Sequence, residues 1–149
     1  MIELVFVIVI LGILASVAVP KFTATRTDAQ VAKGRSDIAS IRSAIITDRQ
    51  SKLIRGINAF IEAGTGTYTV NGTTYNQLDK GGLFGGVLTY PLTDSTEAGN
   101  WHVTSHPDKN SSTYNYNVAG TNVGFTYTRS DGTFKCTDST ATYCSDLTQ

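Results

Sequence analysis

Residues 4–19 carry no charged side chain, and Ser16 is the only polar one among them. As a helix, residues 2–19 measure roughly 27 Å, close to the hydrocarbon thickness of a bilayer, about 30 Å. Thirteen of those 18 residues are Ile, Leu, Val or Phe. At roughly 0.3–0.6 kcal/mol each, they outweigh the few kcal/mol that Glu3 costs on entering lipid. The run is therefore a membrane segment or a signal. Glu3 needs its own explanation, because an ionisable group in a lipid-soluble helix marks a functional contact by default.

Two plainer readings compete with that one. A removable secretory signal has small residues at its cleavage site, as Ser16-Val17-Ala18 does, but no Lys or Arg precedes this run and an acid stands where the basic region belongs. A simple single-span anchor leaves Glu3 incidental.

The string Ile2-Glu3-Leu4, the apolar run, Gly12 nine residues after Glu3 and Pro20 seventeen after it resemble the mature N-terminus of type IV pilins and type II secretion pseudopilins. The resemblance is close over residues 1 to about 30, and beyond them it is one of architecture. It implies an α+β fold, a lollipop in which a long N-terminal hydrophobic helix packs on a small antiparallel β-sheet head. It implies a short basic leader ending in Gly, a prepilin peptidase that cuts after it, and methylation of the new amine. The family pattern places two residues, typically Phe-Thr, ahead of the position Met1 occupies, so the processing site and the methylated residue fall on no residue of this chain.

Formal charge is zero but unevenly placed. Residues 21–55 hold eight basic and three acidic groups, and residues 56–149 hold four and eight, so a basic stalk joins a mildly acidic head. Val31, Ile38, Ile41 and Ile45 repeat at spacings of 7, 3 and 4, which predicts one apolar stripe on a helix continuing from the membrane segment. A helix from residue 2 to about 51 is roughly 75 Å long, too long for a small head to cover. Pro20 is expected to kink or loosen it, and Gly34 is a second weak point costing about 1 kcal/mol against Ala. Leu53, Ile57, Phe60 and Ile61 keep helical spacing, Gly56 argues for a break, and Gly64-Thr65-Gly66 ends the helical region. The expected organisation is a membrane and filament-core segment at 1–21, the amphipathic half of the same helix at 22–55, and the head at 56–149.

Within the head, Asn71-Gly72 between Tyr68-Thr69-Val70 and Thr73-Thr74-Tyr75 predicts a hairpin. Gly81-Gly82 and Gly85-Gly86 read as loop flexibility. Strands are expected at 101–104, 114–118, 123–127 and 133–135, with Trp101, Tyr114, Tyr116, Phe125 and Phe134 facing the stalk stripe. Cys136 and Cys144 are the only cysteines, and in an exported chain they read as a disulfide, as the resemblance also implies. A metal site is the rival reading, from the H-x3-H spacing of His102 and His106. Val103 and Thr104 favour a strand, however, in which residues four apart lie roughly 13 Å apart. Calcium in an Asp-bearing loop, as in some secretion pseudopilins, has neither an EF-hand string nor a dense acidic cluster to support it.

Nucleophile-elbow, Walker A and zinc-protease strings are missing, so no catalytic residue and no cofactor are expected. The stalk cations read as a solvated or intersubunit face rather than a nucleic-acid surface. The sequons at Asn71 and Asn110 are expected by chance. The expected function is a structural filament subunit, pilin or pseudopilin, held in the bacterial inner membrane with its head in the periplasm. The resemblance supplies an assembly platform and a cytoplasmic ATPase as partners, and pairs Glu3 with the N-terminal amine of an adjacent copy. It also implies unwinding between Gly12 and Pro20 in the filament. The alternative is a minor pilin or tethered domain that binds DNA or another extracellular ligand.

Overall fold

The computed structural model describes residues 2–63, 68–70, 73–75 and 77–149. Its first element, α1, runs from Ile2 to Ile54 in 53 residues, roughly 80 Å of helix. The helix continues through Pro20 without interruption. Proline removes the bond its own amide would give to the Ser16 carbonyl and its ring crowds that carbonyl, yet the residues on both sides stay helical.

A helix-terminating motif stops α1. The Gly56 amide donates to the Leu53 carbonyl and the Ile57 amide to the Lys52 carbonyl, both at 2.9 Å, with Gly56 at φ 77°. This is the Schellman arrangement, and glycine is the residue that takes a left-handed conformation without a Cβ penalty. Residues 57–62 are not helical, so the 3.6-residue spacing of Ile57, Phe60 and Ile61 is not a second helical turn. Ile61 is buried in the head and Phe60 half-buried against it, whereas Ile57 stays exposed. The stretch expected to end that turn, residues 64–66, lies outside the described residues, as does the Asn71-Gly72 tip of the hairpin. The hairpin's arms, β1 (Tyr68–Val70) and β2 (Thr73–Tyr75), pair antiparallel with Val70 opposite Thr73.

The head is built on four antiparallel strands in sequential order: β3 (Trp101–Ser105), β4 (Ser111–Val118), β5 (Thr121–Thr128) and β6 (Thr133–Cys136). Alternation decides which face is buried. In β4, Ser112, Tyr114, Tyr116 and Val118 point inward, and in β5 Val123, Phe125 and Tyr127 do so. With Trp101 and Phe134, they close on Ile38, Ile41 and Ile45 of α1. Val31, the first residue of the expected stripe, is only half-buried.

Gly34 lies where the helix meets the sheet most closely. A Cβ there would stand 2.6 Å from both Tyr116 Cε1 and Leu147 Cδ2, so its absence sets the approach of α1 to β4. The glycine that weakens the isolated helix is the one that lets it dock.

A packed loop of residues 77–92 completes the core, which corrects the expectation of flexibility there. Leu78, Leu83 and Phe84 are fully buried, and the Gly86 amide donates to the Leu78 carbonyl at 2.8 Å. A Cβ on Gly86 would lie 1.9 Å from the Gln77 carbonyl oxygen, so this glycine serves close backbone approach. Phe84, at φ 58°, places its ring 4.5 Å from Tyr114 and 5.3 Å from Phe134 between ring centroids. Buried Asp79 holds it there, accepting from the Phe84 amide at 2.7 Å and from the Tyr114 hydroxyl at 2.8 Å.

The chain ends in a short helix, α2 (Cys144–Thr148), whose Leu147 is buried beside Gly34. Cys136 at the end of β6 is bonded to Cys144 at its start, with Cα atoms 6.2 Å apart. The bond ties the last element to the sheet.

Candidate assembly and membrane surface

The head uses only the upper part of α1. Every buried residue of the helix lies between Gln30 and Ile45, and none lies in residues 2–29. The apolar run therefore stands bare, with Ile2 83%, Leu4 72% and Phe6 65% exposed. One end of this helix is long and apolar enough to cross a membrane.

Glu3, Gly12 and Pro20 lie along that bare segment. Glu3 is exposed and makes no hydrogen bond or ion pair among the described residues. Gln30, the first buried residue, is roughly 40 Å of helix away, so Glu3 and the disulfide are not brought together. A Cβ on Gly12 would meet nothing within 4 Å, so no contact inside the subunit requires glycine there. Around Pro20, hydroxyls bond back to the helix, a feature not picked out in the sequence. Ser16 Oγ donates to the Ile13 carbonyl at 2.7 Å, Thr23 to Val19 at 3.2 Å and Thr25 to Lys21 at 3.0 Å. Such back-bonds compete with the helical ladder and weaken it locally.

Three of the eight stalk cations are drawn onto the head instead of standing free on the helix surface. Lys33 Nζ donates to the Gly99 carbonyl and, at 3.2 Å, to Asn100 Oδ1. Arg35 Nε donates to the Asp146 carbonyl, and Arg42 Nε to the Phe134 carbonyl at 3.0 Å. Three of the eight cations therefore clamp the head to the helix through main-chain carbonyls. Their spacing shows positive charge, and the carbonyl acceptors come only with the tertiary fold.

Two polar groups sit where the helix meets the sheet. Trp101 Nε1 donates to Asp37 Oδ2 at 3.1 Å; burial pushes the Asp37 carboxyl up, against the Trp101 bond and the Lys33 charge that lower it. Burial raises the Tyr116 hydroxyl to about 12, with the Asp37 charge adding to it, and this hydroxyl donates to the Gln30 carbonyl at 2.7 Å.

The two histidines belong to separate local networks. His102 Nδ1 is 2.7 Å from Asp94 Oδ1. Ser112 Oγ donates to the Ala63 carbonyl at 3.2 Å and so accepts from His106 Nδ1 at 2.8 Å, while His106 Nε2 lies 3.6 Å from Asp79 Oδ2. Burial lowers the His106 pKa, against the raising effect of Asp79 and Asp94. Among the described residues, no three His, Cys, Asp or Glu side chains come together as a metal-holding group.

Comparison of the chain with protein-family models, with curated proteins and with solved structures gave no match.

Proposed function

We propose that this chain is a structural subunit of a type IV pilus-like filament, a pilin or a type II secretion pseudopilin, and not an enzyme. The observation that carries the reading is the division of α1. Residues 30–45 complete a head core, whereas residues 2–19 form an apolar segment that its own head leaves bare and that holds a single carboxylate at its start. A segment of that kind needs an apolar surrounding from outside the subunit. In the bacterial inner membrane acyl chains supply it, with the head in the periplasm; in a filament, the same segments of neighbouring copies supply it.

Moving from lipid to a helix bundle exchanges one apolar environment for another, so little net hydrophobic energy separates the stored and assembled states. A membrane platform and a cytoplasmic ATPase can then drive assembly in one direction. Glu3 distinguishes the two environments, because a carboxylate in a helix bundle needs a partner and the amine of an adjacent subunit provides one. Gly12, Pro20 and the back-bonded hydroxyls mark where the ladder is easiest to open in a filament.

Electron microscopy of material sheared from cells that express the chain, beside cells deleted for it, tests the proposal. Filaments present only with the chain, and labelled by an antibody to its head, support it. A chain that stays monomeric in the membrane under conditions where the assembly machinery is active contradicts it.

A further inference from the structure

Near the C-terminal end of α1 the head holds a cleft of about 450 Å³ lined by two arginines, Arg49 of α1 and Arg129 just beyond β5. We propose that this cleft binds an oxyanion, a carboxylate, sulfate or phosphoryl group carried on a small polar ligand. Arg49 lies some 30 residues of helix above the end of the apolar run, roughly 45 Å, so the cleft faces solvent when residues 2–19 are in a bilayer.

Both arginines are half-buried and held in place on one residue, Phe60. Arg49 stacks on its ring, with Cζ 4.0 Å from the centroid, and Arg49 Nη2 donates to Asn58 Oδ1 at 3.1 Å. Arg129 Nε donates to the Phe60 carbonyl at 3.3 Å, and its Nη2 is 3.0 Å from Glu62 Oε1. Phe60 itself is wedged against Gly132, where a Cβ would stand 2.1 Å from its ring, so the floor beneath the two arginines is fixed. Each guanidinium has five N–H donors, and the bonds above use two nitrogens of Arg129 and one of Arg49.

No carboxylate pairs with Arg49 among the described residues, and residues 64–67, 71–72 and 76 contain no Asp or Glu. Apart from Glu62, which pairs with Arg129 itself, the nearby acids are engaged elsewhere. Asp48 pairs with Lys52 at 2.7 Å, Asp108 accepts from the Asn110 and Ser111 amides, and Asp131 accepts from Thr133. With these acids close by, selectivity comes from short-range donors and not from net field. A planar fork of N–H groups matches the paired oxygens of a carboxylate or phosphoryl group, and fixing it beforehand lowers the entropy cost of binding. Asn110, Thr128 and Ser130 on the walls offer further donors and acceptors, which suits the hydroxyls of the ligand's body.

The test is an amide-resolved NMR titration of the full chain in neutral detergent micelles with sodium phosphate, sodium sulfate and sodium glucuronate, each at constant ionic strength against sodium chloride. The expected result is a saturable shift centred on Asn110, Arg129 and Ser130. Arg49→Gln and Arg129→Gln should each weaken it at least about tenfold, while Arg55→Gln, on exposed surface just past the end of α1, leaves it unchanged. Arg49→Lys keeps the charge but not the fork, and should also weaken it. Tighter binding of glucuronate than of phosphate assigns the site to acidic sugars, and the reverse order assigns it to phosphoryl groups. Absence of a saturable shift with all three anions overturns the proposal, as does binding that Arg49→Gln leaves intact. Should the arginine variants fail to fold, the wild-type map decides: shifts confined to the cleft support the site, and shifts spread along the cations of α1 overturn it.

Discussion

Replacing Gly34 with alanine sets two effects of opposite sign against each other. In an isolated helix the change is favourable by about 1 kcal/mol. In the folded subunit the new Cβ would sit 2.6 Å from Tyr116 Cε1 and from Leu147 Cδ2, and both gaps must open toward 3.4 Å. Leu147 is the end of a flexible side chain and can rotate away. The Tyr116 ring is held at one end by β4, paired on both sides, and at the other by its hydroxyl on the Gln30 carbonyl. Overpacking of this kind costs about 1–3 kcal/mol, and stretching a buried hydrogen bond adds about 1 kcal/mol. Packing therefore wins, and Gly34→Ala should destabilise the head by about 1–3 kcal/mol, lowering Tm by roughly 4–15 °C. Thermal unfolding of the full chain in detergent, followed by near-ultraviolet circular dichroism, measures it. Gly12→Ala is the control, since its Cβ meets nothing and should leave head unfolding unchanged. A Tm that rises in Gly34→Ala would refute the argument that a missing Cβ sets the helix-to-sheet distance.

Three further outcomes are expected. A fragment beginning at Phe22 loses the whole bare apolar run and keeps every buried residue of α1, so it should be soluble without detergent and remain monomeric; a requirement for detergent would contradict the division of the helix. Cys136→Ser with Cys144→Ser opens a loop whose ends are eight residues apart, and should cost about 2–3 kcal/mol in denaturant unfolding, whereas an unchanged midpoint would mean that α2 is held by Leu147 alone. Burial lowers the His106 pKa in the folded state, so the unfolded chain takes up its proton first as pH falls. Stability should be full above about pH 6.5 and decline below it toward the lowered folded value, and His106→Gln should flatten that part of the profile; an unchanged slope would exclude His106 as its source.

How much was legible in the sequence follows from which interactions are local. The bare segment, the stripe of Ile38, Ile41 and Ile45 and the alternation of Tyr114, Tyr116 and Phe125 are periodic, and a periodic pattern fixes a buried face without knowledge of the partner. The pairing of Cys136 with Cys144 rested on there being no other cysteine. The loop of residues 77–92 has no period. Its role depends on Asp79 and Phe84 meeting Tyr114 from a distant part of the chain, and its glycines look the same in a mobile loop as in a tightly packed one. Likewise the clamp of Lys33, Arg35 and Arg42 uses carbonyl acceptors that every residue possesses, so no side-chain pattern announces it. The Arg49 and Arg129 cleft joins residues 80 positions apart, and only the fold brings them to one floor.

If the chain is the filament subunit proposed, Glu3 serves assembly and not anchoring. The direct measurement is the yield of sheared filament from cells whose only copy of the chain carries Glu3→Val, normalised to the amount of subunit in the membrane. Removing a carboxylate from the bare segment should leave membrane insertion intact or improved, and the head's disulfide unchanged, because Glu3 lies roughly 40 Å of helix from the nearest buried residue. Losing one partner of a buried charge pair costs about 3–5 kcal/mol, enough to reduce the filament yield at least tenfold. Filaments assembled as efficiently as by the wild-type chain would contradict the account.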